Sequence, residues 1–197
     1  MLDQLGMTEL WTNQDTILTM RLNTIKQRLL DHYYQSWYSN INNSRRQNTY
    51  CIFKHTFNLE PYLDIITNKR LRSALRRYRL SSHKLKIERG RYHNIDRKNR
   101  ICKYCNLKAI ENEYHFLLVC PLYRNIRKQC FTSYYCSWPT INKFETLLSK
   151  QNKKVTMNLF KYIYHAMHLR YLLDNYKNSD IVISFLKCSR LFHMYVT

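Results

Sequence analysis

The chain of 197 residues carries 33 Lys and Arg against 13 Asp and Glu, which gives a formal net charge of +20. It contains two glycines and three prolines, whereas sandwiches, barrels and doubly wound sheets need many special turn residues. We therefore expect a mainly α-helical fold. Two glycines also exclude the glycine-rich loops with which P-loop and dinucleotide-binding proteins hold phosphates.

Cysteine usage and the first residues of the chain predict an intracellular protein. Seven cysteines are an odd number, and the opening residues lack the apolar region of a signal peptide. We therefore expect reduced thiols in a nuclear or cytoplasmic protein that is not secreted. The most apolar segment, residues 181–196, is interrupted by Lys187 and Arg190, so we expect no membrane span and no membrane partner.

Charge divides the chain into three parts. Residues 1–68 hold six basic and six acidic side chains, whereas residues 69–103 hold fourteen basic and two acidic ones, a net charge of +12. We therefore distinguish a neutral helical N-terminal part (1–68), a basic helix with a cysteine-histidine module (69–125), and C-terminal helices (126–197). The first of these is expected to be a docking region.

The neutral part is expected to contain two helices and a loop. Apolar residues at spacings of three and four begin at Leu18 and continue to Trp37, which indicates a helix of more than five turns. Residues 40–48 are polar and predict a loop. A short helix is expected at residues 60–67, with a proline in its first turn.

The basic segment is expected to begin as a helix and to continue as an extended piece. Leu71, Leu75 and Tyr78 form a narrow apolar seam among Arg and Lys, so the rest of this helix exposes cations. Leu85 and Ile87 then alternate with charged residues, a pattern that allows a short strand or an extended piece. Beyond residue 120, apolar spacing predicts helices at 121–135, 140–150, 154–176 and 181–195.

The clearest motif is formed by Cys102, Cys105, His115 and Cys120. Two cysteines separated by two residues let the backbone fold into a tight turn that aims both sulfurs at one point, and four such donors bind zinc in a tetrahedron. Because four protein ligands leave no position for water, we expect one structural Zn²⁺. The expected fold is a helical single domain with a small inserted Cys2HisCys zinc module. The other cysteines are expected to be ordinary thiols: Cys51, Cys130, Cys136 and Cys188.

The spacing of the second pair of ligands sets a condition on the backbone. On a regular α-helix, His115 and Cys120 would point about 140° away from each other. The helix must therefore loosen near Cys120, and Pro121 provides the cause, since a proline disfavours the α conformation of the preceding residue. The nearest cations in sequence, expected to offset the charge of three thiolates with one zinc, are Arg100, Lys103 and Lys108.

These residues give the chain a resemblance to a known family. Residues 77–91, 100–105 and 111–121 resemble the C-terminal zinc-binding region of non-LTR (LINE-type, jockey-like) retrotransposon reverse transcriptases. The resemblance implies a zinc module downstream of a polymerase that holds template RNA or target DNA. It also implies that a polymerase domain is a further partner, and it allows residues 1–68 to be thumb-like instead of a docking region. The zinc ligands that it implies are Cys102, Cys105, His115 and Cys120.

The acidic residues argue against an enzyme. The sequence lacks the polymerase signature of an aromatic residue followed by paired aspartates, and its acids are scattered, whereas metal-dependent polymerases and nucleases need clustered carboxylates. We expect no catalytic activity and no small-molecule substrate. Two alternatives stay open: a non-catalytic interaction protein or expressed remnant of a decayed mobile element, and a less favoured metal-dependent nuclease.

The basic segment predicts a surface for RNA or DNA. Arginine dominates it, and guanidinium groups suit phosphates and stacked bases, although a charge run is also commonly only a solvated face. The predicted contacts are Lys69, Arg70, Arg72, Arg76, Arg77, Arg79, Arg89, Arg91, Arg97, Lys98, Arg100 and Lys103. Aromatic residues that either stack on bases or pack in the core are Tyr78, Tyr92 and Tyr104. Residues that either contact phosphate or make structural hydrogen bonds are His83 and His93.

Overall fold

The structure is a computed structural model that describes residues 6, 8, 18–44, 46–150 and 152–175. The fold is mainly helical, as expected, and the described residues contain no strand, only an isolated antiparallel bridge between Ile101 and Ile110. The chain divides into two compact units, Met1–Asn58 and Leu59–Thr197. The predicted helix at 181–195 and Cys188 lie outside the described residues. Within the described ranges, none of the helices combines the length and the hydropathy that a membrane span requires.

The first unit consists of helices α1 (Leu18–Asn43) and α2 (Asn48–Phe53). The predicted long helix is confirmed, and it extends into the segment predicted as a loop. Ile41 and Phe53 are buried where α1 packs against α2, whereas Leu22 and Tyr33 are 55% and 61% exposed. From Leu22 onward, the apolar stripe of α1 therefore ranges from half-buried to exposed, and full burial is reached near the end of the helix, at Ile41.

The second unit holds all other elements. Its α-helices are α3 (Tyr62–Ile65), α4 (Lys69–Arg79), α5 (Lys86–Tyr92), α6 (Arg124–Cys130), α7 (Ser133–Cys136), α8 (Ile141–Ser149) and α9 (Lys153–Asn175). A π-helix spans His115–Val119, and 3₁₀ helices span Arg97–Asn99 and Pro121–Tyr123. The helices predicted at 140–150 and 154–176 are confirmed as α8 and α9. The prediction of one continuous helix at 121–135 is wrong: most of this range is helical, but Phe131 and Thr132 are extended and separate α6 from α7.

Aromatic rings form the core of the second unit. Phe116 is fully buried, and its ring centroid lies 5.8 Å from that of Tyr78, 4.9 Å from that of Tyr123 and 5.7 Å from that of Tyr162. These rings come from α4, the 3₁₀ helix at 121–123 and α9. Since Phe116 directly follows His115, the core fixes the backbone beside that histidine.

Helix α4 has the predicted division into an apolar and a cationic face. Its first turn is capped by Asn68, whose Oδ1 accepts hydrogen bonds from the backbone N–H groups of Arg70 and Leu71. Leu75 and Tyr78 are each 1% exposed, which confirms the predicted seam. Four of the basic residues of α4 are exposed to solvent: Lys69, Arg70, Arg76 and Arg77.

The strand predicted around residues 84–88 is wrong, because α5 begins there. Glu111 stabilises the first turn of α5: its carboxylate accepts a hydrogen bond from Lys86 N–H at 2.8 Å, and its carbonyl oxygen accepts one from Ile87 N–H at 3.0 Å. The alternation of Leu85 and Ile87 is too short to outweigh this cap. A cap that comes from a distant part of the chain is invisible in the local pattern.

Gly90 lies inside α5 and makes room for Arg100. A Cβ atom at Gly90 would lie 2.7 Å from Arg100 Cγ, far inside the contact distance of two carbon atoms. Arg100 Nε donates a hydrogen bond to the carbonyl oxygen of Ile95 at 2.9 Å, and its Nη1 donates one to that of Ile87 at 2.8 Å. The missing side chain therefore allows Arg100 to fasten the segment after α5 onto the helix.

Gly90→Ala is expected to lower the free energy of unfolding by about 1–3 kcal/mol, because the new methyl group displaces Arg100 and breaks its hydrogen bonds. In an Arg100→Ala background the same change is expected to stabilise the protein by up to about 1 kcal/mol, since alanine favours a helix over glycine. Urea unfolding of the four proteins measures both effects. The same sign in both backgrounds would contradict this close approach.

Candidate metal centre

Four side chains from two segments converge in the second unit. The candidate ligand atoms of Cys102, Cys105, His115 and Cys120 all lie within 4.8 Å of one another. Cys105 is half-buried and the other three are buried. The predicted set of ligands is therefore brought together, and it could hold a metal ion.

A short hairpin-like turn presents the first two cysteines. Cys102 N–H donates a hydrogen bond to the carbonyl oxygen of Ala109, and Glu111 N–H donates one to that of Arg100, both at 2.9 Å. These bonds close the turn that contains Cys105. The backbone thus brings both sulfurs to one side, as the spacing of the two cysteines predicts.

Backbone N–H groups are aimed at all three sulfurs. In each case the donor belongs to the residue two positions further on: Tyr104 for Cys102, Leu107 for Cys105 and Leu122 for Cys120. Such hydrogen bonds favour the thiolate over the thiol. Because the thiolate is the form that binds a metal, the three turns favour coordination before any ion arrives.

The π-helix resolves the spacing of His115 and Cys120. Cys120 N–H donates to the carbonyl oxygen of His115 at 2.7 Å, and this i→i+5 bond brings the two residues to the same face. Cys120 itself is extended, with φ −55° and ψ 123°, as expected of a residue before proline. The predicted loosening of the helix near Cys120 is confirmed, and it takes the form of a wider, π-helical turn.

Side chains from α6 and α9 bind the carbonyl groups that this wider turn exposes. Tyr162 Oη donates to the carbonyl oxygen of Phe116 at 2.5 Å; Pro121, five residues after Phe116, has no N–H to offer. Arg127 donates from Nε to the carbonyl oxygen of Leu117 and from Nη2 to that of Cys120, both at 2.9 Å. The turn therefore keeps its backbone hydrogen-bonded without being regular.

The surroundings of His115 fit a metal ligand. Its Nε2 lies 3.4 Å from Cys105 Sγ, close to the roughly 3.6 Å that separates sulfur and nitrogen ligands of one tetrahedral ion. His115 is 3% exposed, and its Nδ1 has no hydrogen-bond partner among the described residues. Nε2, the nitrogen that lies beside Cys105 Sγ, is therefore the ring atom placed to bind an ion.

The thiols are also coupled to each other. A hydrogen bond to Cys120, together with burial, raises the pKa of Cys102 to about 12, and the same hydrogen bond lowers the pKa of Cys120. Burial raises the pKa of Cys105. A divalent cation would remove the hydrogen bond between Cys102 and Cys120, because thiols lose their protons when they coordinate a metal.

Arg170 compensates negative charge beside the centre. It forms a buried ion pair with Glu111, whose Oε1 lies 3.7 Å from Cys102 Sγ, and its guanidinium lies 4.5 Å from the ring centroid of Tyr104. Two of the cations predicted to offset the thiolate charge have other partners. Arg100 donates hydrogen bonds to backbone carbonyl groups, and Lys103 pairs with Asp174 in α9 at 2.5 Å. Sequence reasoning offers no signal for Arg170, which lies far from the motif along the chain.

Glu113 joins the metal segment to helix α4. Its carbonyl oxygen accepts a hydrogen bond from Tyr78 Oη at 2.7 Å, and its carboxylate bonds to Ser81 Oγ at 2.6 Å and to His83 Nε2 at 2.8 Å. Burial opposes its ionisation, but the hydrogen bonds lower the pKa of Glu113 to about 2. The structural role of His83 is thereby confirmed, whereas His93 is exposed.

The structure separates the predicted basic contacts into two groups. Arg79 is 7% exposed; it pairs with Glu60 at 2.7 Å and bonds to the carbonyl oxygen of Leu148, so it does not belong to the surface. Residues that are half-buried or bonded within the protein are Arg72, Arg91, Arg100 and Lys103. Exposed residues without an ion pair to any described residue are Lys69, Arg70, Arg76, Arg77, Arg89, Arg97 and Lys98.

The three tyrosines of this region have different surroundings. Tyr78 belongs to the core, which confirms packing for that residue. Tyr104 is half-buried, and its Oη donates to Asp174 at 2.7 Å. Tyr92 is 65% exposed, so of the three it alone presents most of its ring to solvent.

Arg170→Gln is expected to lower the free energy of unfolding by about 3–5 kcal/mol, because it leaves the buried carboxylate of Glu111 without its counter-charge. The matched control is Lys103→Gln, which breaks a pair whose lysine is 58% exposed and is expected to cost less than about 1 kcal/mol. Chemical denaturation measures both variants. Equal losses would show that Arg170 does not compensate buried charge.

No family model matches the chain, and no match was found among curated proteins or among solved structures. The function is therefore proposed from the metal centre and the basic surface themselves.

Proposed function

We propose that this protein is a zinc-stabilised module that binds nucleic acid. The donor set supports zinc: three cysteine sulfurs and one histidine, enclosed by protein and able to surround one ion, match the tetrahedral sites that zinc occupies in structural roles. Four protein ligands leave no open position for water. The zinc would therefore stabilise the fold and take no part in a reaction.

Cys105→Ser is expected to reduce bound zinc well below the one equivalent held by the unaltered protein, because it removes one thiolate of the four ligands. The matched control is Cys51→Ser, which changes a half-buried thiol of the first unit. Elemental analysis of the purified proteins measures the zinc content. A full equivalent in Cys105→Ser would refute this ligand set.

The observation that carries the nucleic-acid proposal is the exposure of unpaired cations. Lys69 and Arg76 lie two helical turns apart on α4, as do Arg70 and Arg77, so these four residues share one face. Arg89, Arg97 and Lys98 add three exposed cations after α4. A surface with this density of positive charge favours a polyanion, and Arg suits phosphate oxygens.

The variant Arg70→Ala/Arg76→Ala/Arg77→Ala is expected to bind nucleic acid with a weaker salt dependence. Removing one cation that neutralises a phosphate of a single strand lowers the slope of log K against log salt by about 0.7. Fluorescence anisotropy with a labelled RNA strand, repeated over a range of salt concentrations, measures this slope. Arg79 is left unchanged because its burial would confuse weaker binding with a failure to fold.

The control for this experiment removes the same charge elsewhere. Lys150 follows α8, and Lys153 and Lys154 begin α9; all three are exposed. Their joint substitution by Ala is expected to change the slope much less. Equal slopes for both triple variants would show that binding depends on the net charge of the protein and not on the exposed cations of α4. No binding by the unaltered protein would reject it.

The family resemblance gives this proposal its biological setting. The zinc-binding region of non-LTR retrotransposon reverse transcriptases combines a Cys2HisCys module with template or target binding, and we propose the same combination here, with a polymerase domain as partner. A non-catalytic interaction protein is the second candidate, favoured by the exposed apolar side chains of α1, among them Leu22, Tyr33 and Tyr38. An affinity for RNA and DNA that does not change with salt concentration would favour this second candidate.

A further inference from the structure

An exposed tyrosine lies at the end of α5, within the basic segment. Tyr92 is the last residue of this helix and is 65% exposed. The guanidinium carbon of Arg91 lies 4.6 Å from the centroid of its ring. One face of the ring is therefore covered by a cation, which leaves the opposite face open to solvent.

A buried carboxylate holds this arrangement in place. Arg91 Nη2 pairs with Glu88 Oε1 at 2.5 Å, and Glu88 is 5% exposed. Because the carboxylate is fixed inside the protein, the guanidinium that it binds is restrained, and so is the ring beside it. An exposed side chain usually loses conformational freedom when it binds a ligand, and the contact with Arg91 lowers that cost for Tyr92.

The adjoining turn adds exposed positive charge. The 3₁₀ helix Arg97–Asn99 packs against α5, and Arg100 fastens it there through the close approach at Gly90. Arg97 and Lys98 are both exposed. An aromatic face and free cations are thus carried by two elements that are fixed to each other.

We propose that Tyr92 is a stacking platform for an unpaired nucleobase, with Arg97 and Lys98 binding the phosphates of the same strand. This inference rests on the proposed nucleic-acid function and names its substrate class as a single strand. The open face of an aromatic ring accepts any base, and neighbouring cations bind the backbone that carries it. A duplex keeps its bases paired and stacked, so it offers Tyr92 nothing to stack on.

The test compares a labelled oligo(dT) strand with a duplex of the same length, both at one fixed salt concentration. Tyr92→Ala is expected to bind oligo(dT) roughly tenfold more weakly than the unaltered protein, and the duplex equally well. Tyr92→Phe, which keeps the ring, is expected to retain the affinity for oligo(dT). The matched control is Tyr134→Ala. Tyr134 is similarly exposed, at 55%, and Lys143 Nζ lies 4.6 Å from its ring centroid, but it lies outside the basic segment.

Each outcome decides the inference. Selective loss in Tyr92→Ala, with Tyr92→Phe and Tyr134→Ala unchanged, supports it. Unaltered binding of oligo(dT) by Tyr92→Ala, or an equal loss on the duplex, overturns it while leaving salt-dependent binding intact. Failure of the unaltered protein to bind either probe instead rejects the proposed function itself.

Discussion

One backbone hydrogen bond, from Cys120 N–H to the carbonyl oxygen of His115, brings the four candidate ligands of this protein close enough to surround one ion. A regular α-helix would turn the two side chains away from each other, and the i→i+5 bond brings them together. Such a turn is rare, and in this protein three carbonyl groups of the turn and its end accept hydrogen bonds from side chains. Here Tyr162 and Arg127 supply the missing donors. The metal centre therefore depends on α6 and α9 as much as on its own motif.

Around this turn the protein adds a second layer of polar contacts. Glu111 bonds to the first turn of α5 and to Arg170, while Glu113 bonds to the end of α4 and to His83. The two acids are separated by one residue and contact different neighbours. They connect the metal segment with the helices that display the cations, so the proposed zinc and the proposed nucleic-acid surface belong to one folded unit.

The sequence predicts the parts of this site that are encoded locally. The four ligands, the loosening before Pro121 and the apolar seam of α4 follow from spacing and from proline chemistry, and the structure has all three. The prediction of Arg79 as a surface contact is wrong, and the spacing of Arg79 from Leu75 already indicates burial. It lies four residues after Leu75, on the buried face of α4. An arginine on an apolar face needs an interior partner, and Glu60 provides it.

Other features depend on contacts between distant segments, which local patterns do not encode. The segment predicted as a strand begins helix α5 because Glu111 caps its first turn. Gly90 is suited to the middle of that helix because the side chain of Arg100, ten residues later, packs against it. The role of Arg170 is hidden from the sequence for the same reason. Local periodicity describes which face of a segment is apolar, whereas these three positions are set by what approaches that segment from elsewhere.

The uncompensated cations of α4 have an energetic consequence for the folded chain. Lys69 and Arg70 are adjacent, as are Arg76 and Arg77, and none has an acidic partner among the described residues. Like charges held this close repel one another, and dissolved ions weaken that repulsion. Raising the ionic strength therefore acts in opposite directions on the two equilibria: it stabilises the isolated protein while weakening its attraction to a polyanion.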